Sequence, residues 1–213
     1  MSKFTCLAVA IATAAVVSFS TERANAGDII ADWSTVKTPA APELKKVTVN
    51  PKDTALIVMD LQTNSCNKER RPRCLDTIKP VSELMKRARA KGLPVIHTMS
   101  SSGTLENLVK DVAPMEGEPY VKGSVDKFLG TDLENILKSK GIANVILVGT
   151  AAEGAVLGTA TGAAQRKLKV IIPVDGMSSA DAYAEQYTAV YMVNSPGTSA
   201  SATLTRTGMI DIQ

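Results

Sequence analysis

The sequence predicts one α/β domain of three layers, helices over both faces of a mainly parallel sheet. Short apolar runs recur at Thr54–Met59, Leu93–Thr98, Asn144–Val148 and Leu168–Val174. Each is hydrophobic on both faces, as strands buried in a parallel sheet are. Helical patterns lie between these runs, giving the order β-α-β-β-α-β-α-β-α-β, which requires crossovers and a sheet covered on both sides. Several of the strands also end on Asp or Gly, at the edge where open α/β sheets present ligands. No repeat and no second domain is visible.

The chain has 213 residues, enough for one domain with a substantial core. Its formal net charge of +3 is spread along the sequence, and aromatic residues make up 4%. This gives neither a basic face nor a stacking platform, so nucleic acid is not an expected partner. Residues 1–26 read as a secretory signal: Lys3 precedes an apolar run from Phe4 to Phe19, and Ala24-Asn25-Ala26 is a small-residue cleavage site. The run is short for a membrane span. The expectation is export to the periplasm or beyond, with cleavage after Ala26 and no membrane attachment afterwards. Residues 27–50 form a Pro-containing N-terminal extension without periodicity, and the domain proper is expected over 51–213.

Export sets how the cysteines are read. With Cys6 in the signal, Cys66 and Cys74 remain, close together in one polar loop. A disulfide is the default in an oxidising compartment. The competing reading makes one of them a displaced nucleophile. His97 is the lone histidine, so no His-based metal site is expected and no cofactor is implied.

Thr54–Met59 ends at Asp60, with Leu61 and Gln62 following. Asp60 is either a ligand-facing acid at a strand end or a turn cap. Ile78, Val81, Leu84, Met85 and Ala88 define an amphipathic helix over 76–91, stopped by Gly92. His97, near the end of the next strand, either borders a pocket or packs as a hydrogen-bonded core residue. The polar stretch 100–119 is expected to shape an entrance, and 119–122 to form a short strand ending at Lys122.

Asn144–Val148 leads through Gly149 into a helix crowded with small residues, among them Gly154, Gly158, Thr161 and Gly162. Such a helix is poor by propensity, so the small residues point to close approach of another segment. Strand, tight turn and helix N-terminus together form either a nest of N–H groups for an anion or simply a tight helix-on-sheet contact. Ala180–Asn194 is a further helix, and 203–212 a final extended segment.

Gly149-Thr150-Ala151-Ala152-Glu153-Gly154-Ala155-Val156 with Thr159-Ala160 resembles the signature of the isochorismatase-like hydrolases, the superfamily of cysteine hydrolases that includes nicotinamidases and N-carbamoylsarcosine amidohydrolases. That pattern has Thr where this chain has Ala152, and its nucleophilic Cys where this chain has Ala155. Asp60-Leu61-Gln62 matches the family's Asp-x-Gln, and Lys122, six residues before Phe128, matches its catalytic lysine. The family's Ser-Ala before that phenylalanine is Asp126-Lys127 here.

The resemblance spans about 52–212 and implies a Rossmann-like fold, a small-molecule substrate, a homo-oligomer and a non-proline cis peptide at Thr150–Ala151. It implies catalytic roles for Asp60 and Lys122, with Ala155 at the nucleophile position. Gln62, His97, and the backbone of Ala151 and Ala155 are the expected substrate contacts, and Asp175 a structural acid. A methyl group cannot attack a carbonyl, so covalent catalysis at position 155 is excluded. Two readings remain. In one, Asp60 is the general acid/base of a hydrolysis that needs no enzymatic nucleophile, such as that of a vinyl ether. In the other, the protein is an inactive relic binding a small acid or a protein partner. Export argues against isochorismate itself, an intracellular metabolite.

Overall fold

A computed structural model describes residues 27–213; the expected signal peptide lies outside the described residues. The chain divides into two compact units between Thr38 and Pro39. In the first, the Asp28 carboxylate accepts hydrogen bonds from the Ile30 and Ala31 N–H groups, ahead of a single 3-10 turn at Trp33–Thr35. The second unit runs from Pro39 to Gln213.

Its strands are β1 (Val47–Val49), β2 (Thr54–Met59), β3 (Val95–Ser100), β4 (Tyr120–Gly123), β5 (Asn144–Thr150), β6 (Lys169–Pro173), β7 (Met177–Ser178), β8 (Ala202–Thr205) and β9 (Ile210–Ile212). The main sheet runs β4-β3-β2-β5-β6-β8, with every pairing parallel and β7 extending the end of β5. The apolar runs read from the sequence are its centre: all six residues of β2 are buried. The helices are α1 (Pro72–Ala90), α2 (Leu133–Ser139), α3 (Leu157–Gln165) and α4 (Ala182–Asn194). Two separate apolar clusters result. One contains Val81, Leu84 and Met85 of α1; the other contains Leu133 and Leu137 of α2 with Ala160 and Ala163 of α3. The sheet therefore separates two helix layers, the predicted three-layer α/β/α arrangement.

Three local features differ from the sequence reading. Helix α1 starts four residues early, because Pro72 opens it and needs no N–H partner there. The end of the expected extension is built into the fold, since β1 pairs in parallel with β9 and the Lys45 N–H donates to Leu204 O at 2.9 Å. The final extended segment is broken into β8 and β9 by a 3-10 turn at Thr207–Met209. Asp175 anchors that turn, accepting from the Thr207 N–H at 2.8 Å and the Thr207 hydroxyl at 2.9 Å.

Register brings the functional ends together. Met59 pairs with Gly149 across β2 and β5, and with Thr98 across β2 and β3. Gly149 has φ +133°, and a Cβ there would lie 2.0 Å from Met59 O. Only glycine permits this approach of the two central strands. Gly149→Ala is expected to cost about 3 kcal/mol or more through strain and backbone clash, read as a lowered urea midpoint at unchanged slope.

Candidate functional site

Asp60 follows β2 at the carboxyl edge of the sheet, with φ +54°, a left-handed conformation uncommon for a residue bearing a side chain. Its carboxylate is held on both oxygens. The Thr98 hydroxyl donates to Oδ1 at 2.8 Å, and the Lys127 ammonium donates to Oδ2 at 2.8 Å. Lys127 is fully buried. Its Nζ also donates to Gly123 O at 3.0 Å and Met99 O at 3.2 Å, so the three donors of the ammonium each have an acceptor. The cation is thereby fixed in one orientation, pointing at Asp60.

The lysine beside the acid is thus Lys127 and not Lys122. Residues alternate sides along a strand, and in β4 Val121 points into the core while Lys122 is exposed. Lys122 has the expected spacing from Phe128 but takes no part in the site. The signal for Lys127 was present in the sequence as a departure: a lysine standing where the resembled pattern has a small residue.

Helix α3 explains how a loop can carry Lys127 there. The segment around Val125–Phe128 lies directly on the small-residue face of α3. A Cβ at Gly158 would meet Val125 O at 3.0 Å, and one at Gly162 would meet Asp126 Oδ1 at 2.8 Å. Between them Thr159 reaches across, its hydroxyl donating to Val125 O at 3.2 Å and accepting from the Lys127 N–H at 3.2 Å. Asp126 Oδ1 accepts from the Phe128 N–H at 3.0 Å, and the Thr131 hydroxyl donates to Lys127 O. The poor helix-forming composition of α3 is the seat of this loop.

A pocket of about 380 Å³ opens over Asp60. Gln62, Arg70, Arg71, Ser100, Thr150, Ala151 and Ala155 are among its lining residues. The Thr150–Ala151 peptide is cis. Among the described residues the Ala151 N–H has no acceptor, while its carbonyl receives the N–H groups of Gly154 and Val156, both at 3.1 Å, in the single wide π turn Ala152–Val156 that precedes α3. N–H groups at the start of a helix lack intrahelical partners, so this corner of the pocket suits an anion. Ala155 presents a buried methyl there. Gln62 is also buried, its Oε1 accepting from the Ser100 N–H at 3.0 Å. Its Nε2 is without a partner among the described residues, and Gly103 lies so close that a Cβ there would be 2.5 Å from it.

His97 is not a pocket residue. It points to the opposite side from Asp60's partner Thr98 and is buried, with Nε2 3.0 Å from Glu118 Oε2. Glu118 also accepts from Arg89 at 2.7 Å on each oxygen and from the Met115 N–H at 2.9 Å. Burial pushes the His97 imidazole below its ordinary value, against the pull of Glu118. Burial pushes Glu118 up, but Arg89 and the Met115 N–H outweigh it and hold the carboxyl low. This cluster ties α1 to the loop before β4. The sequence reading of His97 as a substrate contact is corrected to its other alternative, a packed residue.

Cys66 and Cys74 form a disulfide, with Cα atoms 5.2 Å apart. Among the described residues no three His, Cys, Asp or Glu side chains gather where they could hold a metal, and no helix is long and apolar enough to cross a membrane.

Fold and site together describe a parallel α/β scaffold with an acid–ammonium pair at the carboxyl edge of its central strands. The chain belongs to the isochorismatase family: residues 54–204 match the isochorismatase domain. Its family is thus that of the isochorismatase-like hydrolases, which act on small molecules. It is 28% identical over 146 residues to a secreted isochorismatase effector of Verticillium dahliae, covering 63% of this chain and 77% of that one. Among solved structures it is similar to a cysteine hydrolase from Pseudomonas syringae, with a TM-score of 0.68 at 20% identity over 79% of this chain and 95% of that one. It is also similar to N-carbamoylsarcosine amidase from Thermoplasma acidophilum, with a TM-score of 0.63 at 23% identity over 73% and 96%. These structural likenesses concern the fold.

The His97 cluster sets a pH dependence. The folded-state value of His97 lies below the unfolded one, so the unfolded chain takes up the extra proton as pH falls. Its contribution to stability is complete above about pH 6.5 and is lost as pH drops through the folded value. Glu118 adds a loss in the same direction below its ordinary 4.5. The urea midpoint is expected to fall between pH 7 and 5.5 in the native protein, and to stay nearly flat over that window in His97→Gln.

Proposed function

We propose that this protein hydrolyses a small molecule by acid–base catalysis at Asp60, supported by Lys127 and without an enzymatic nucleophile. A vinyl (enol) ether is the substrate type that such a site suits. The carrying observation is that Asp60, which lines the pocket with Ala155, is paired with the buried Lys127 ammonium.

The cycle needs no covalent intermediate with the protein. Asp60, in its acid form, gives its proton to the terminal alkene carbon, and the alkene π pair forms the new C–H bond. The ether oxygen shares the resulting positive charge as an oxocarbenium ion. Water then adds to the ether-bearing carbon while the Asp60 carboxylate accepts the water proton, which restores the acid. The hemiketal so formed breaks the bond between that carbon and the ether oxygen; its hydroxyl proton passes to the departing oxygen, releasing an alcohol and a carbonyl product. Lys127 is a positioning residue: its fixed ammonium holds Asp60 and stabilises the carboxylate that appears between the two proton transfers. On this reading the Ala151 N–H and the first turn beyond it bind an anionic group of the substrate.

Export fits this reading. A disulfide and a secreted relative both accord with an oxidising compartment. The name of that relative joins secretion to isochorismatase activity. Export is therefore no argument against isochorismate, which we take as the first substrate to test.

The test follows release of the carbonyl product from isochorismate, by coupled oxidation of NADH. Asp60→Asn is expected to lower turnover by about 10²–10⁴-fold, and Lys127→Met to lower it substantially. Lys122→Ala should leave it unchanged. Silence toward isochorismate and other enol ethers, with amidase activity appearing only in Ala155→Cys, would establish the relic instead.

A further inference from the structure

Arg70 and Arg71 line the pocket with Asp60, on the loop that follows Gln62. Among the described residues neither guanidinium makes a salt bridge or a side-chain hydrogen bond. Other arginines of the same region are engaged. Arg73 grips Glu185 with two hydrogen bonds of 2.8 and 2.7 Å, Arg89 grips Glu118, and Arg87 donates to the Ile210 and Thr207 carbonyls. The two pocket arginines thus stand out as charged forks without a protein acceptor.

The pocket around them carries an excess of positive charge. Asp60 is the only acid lining it among the described residues, and Lys127 already offsets that carboxylate. Burial first, then the adjacent Arg70 charge, push the Arg71 guanidinium down, with Glu153 and Asp60 opposing. An arriving anion would relieve this repulsion, and a cleft of one sign draws such anions in.

The main chain that carries the pair is fixed, while Arg70 is exposed and Arg71 half-buried. The Cys66–Cys74 disulfide closes the loop, with both cysteines buried and Cys74 in the first turn of α1. Inside that bridge Asn67 Oδ1 accepts from the Glu69 and Arg70 N–H groups at 3.1 and 2.8 Å. The Asn67 amide donates to Thr63 O at 3.0 Å, and the Arg71 N–H donates to Asn67 O at 3.1 Å. A preformed loop spends little ordering entropy when a ligand docks. Guanidinium forks match carboxylates bidentately.

We propose that Arg70 and Arg71 form a two-point carboxylate clamp that makes this pocket selective for small dicarboxylates. The proposal rests on the reading of this pocket as the reaction site. The volume of about 380 Å³ suits a single ring-sized acid. One carboxylate on each arginine leaves the rest of the molecule over Asp60.

The test is titration calorimetry on the full chain with isophthalate, which carries two ring carboxylates, and benzoate, which carries one. Neither is a substrate for hydrolysis, so the measurement stands whether or not turnover is found. Isophthalate is expected to bind about ten-fold or more tightly than benzoate. Arg70→Gln and Arg71→Gln should each bring it down to the benzoate level, with unchanged thermal melts since neither side chain has a protein partner. Arg70→Lys should recover part of the loss. Equal affinity for the two acids, no measurable isophthalate binding, or binding untouched by both substitutions overturns the clamp. Enol ether turnover found alongside such a result would leave the reaction standing and remove the clamp alone.

Discussion

The contact on which the site depends is the one between the Lys127 ammonium and the Asp60 carboxylate. It is expensive to place. Taking a lysine fully out of water costs several kcal/mol, and its pairing energy commonly does no more than offset that. The chain meets this cost with a complete set of acceptors: one carboxylate oxygen and two main-chain carbonyls. The constraints then propagate outward. The loop lies on α3, where a Cβ at 158 or 162 would crowd it and the Thr159 hydroxyl bonds to it. Asp60 must turn sharply from the end of β2, and it does so with a positive φ. Beside it β5 must approach β2 closely, which restricts position 149 to glycine.

These requirements come from three separate stretches of chain, joined only by the parallel register of β3, β2 and β5. Thr98, Met59 and Gly149 are neighbours across the strands. A shift of one residue in either pairing would turn every side chain to the other face. It would separate the Thr98 hydroxyl from Asp60. The continuous burial of β2 and β5 is thus as much a part of the site as the polar groups themselves.

The sheet and its layers were legible because buried strands and amphipathic helices write their periodicity directly into sequence. Asp60 and Gln62 were legible because a strand end fixes where the next residues go. The small residues of α3 announced a close approach, without naming the segment that makes it. Lys127 was hidden because spacing does not report side-chain direction: Lys122 and Lys127 lie five positions apart, and only the strand's alternation sends one to solvent. The departure at Asp126-Lys127, visible in the sequence as extra charge, carries the ammonium that pairs with Asp60. His97 shows the reverse case, a residue at a strand end that faces the helix layer and not the edge. Arg70 and Arg71 were masked by a loop whose cysteines drew the reading, although the disulfide and the arginines belong to one structure.

A buried ion pair is seldom the most stable solution at a given place. Packed apolar residues of similar volume commonly do as well or better. Here Lys127 is fully buried, and a methionine at position 127 would fill similar volume without needing any acceptors. A protein kept only for its scaffold has no physical reason to hold a lysine there, nor to hold an aspartate at positive φ against it. A proton-transfer site does, because the acid must pass through both charge states without moving. Ala155 offers no attacking atom, and among the described residues the Ala151 N–H near it has no acceptor. On the proposed reading the site moves protons at Asp60 and holds an anion, with water as the nucleophile.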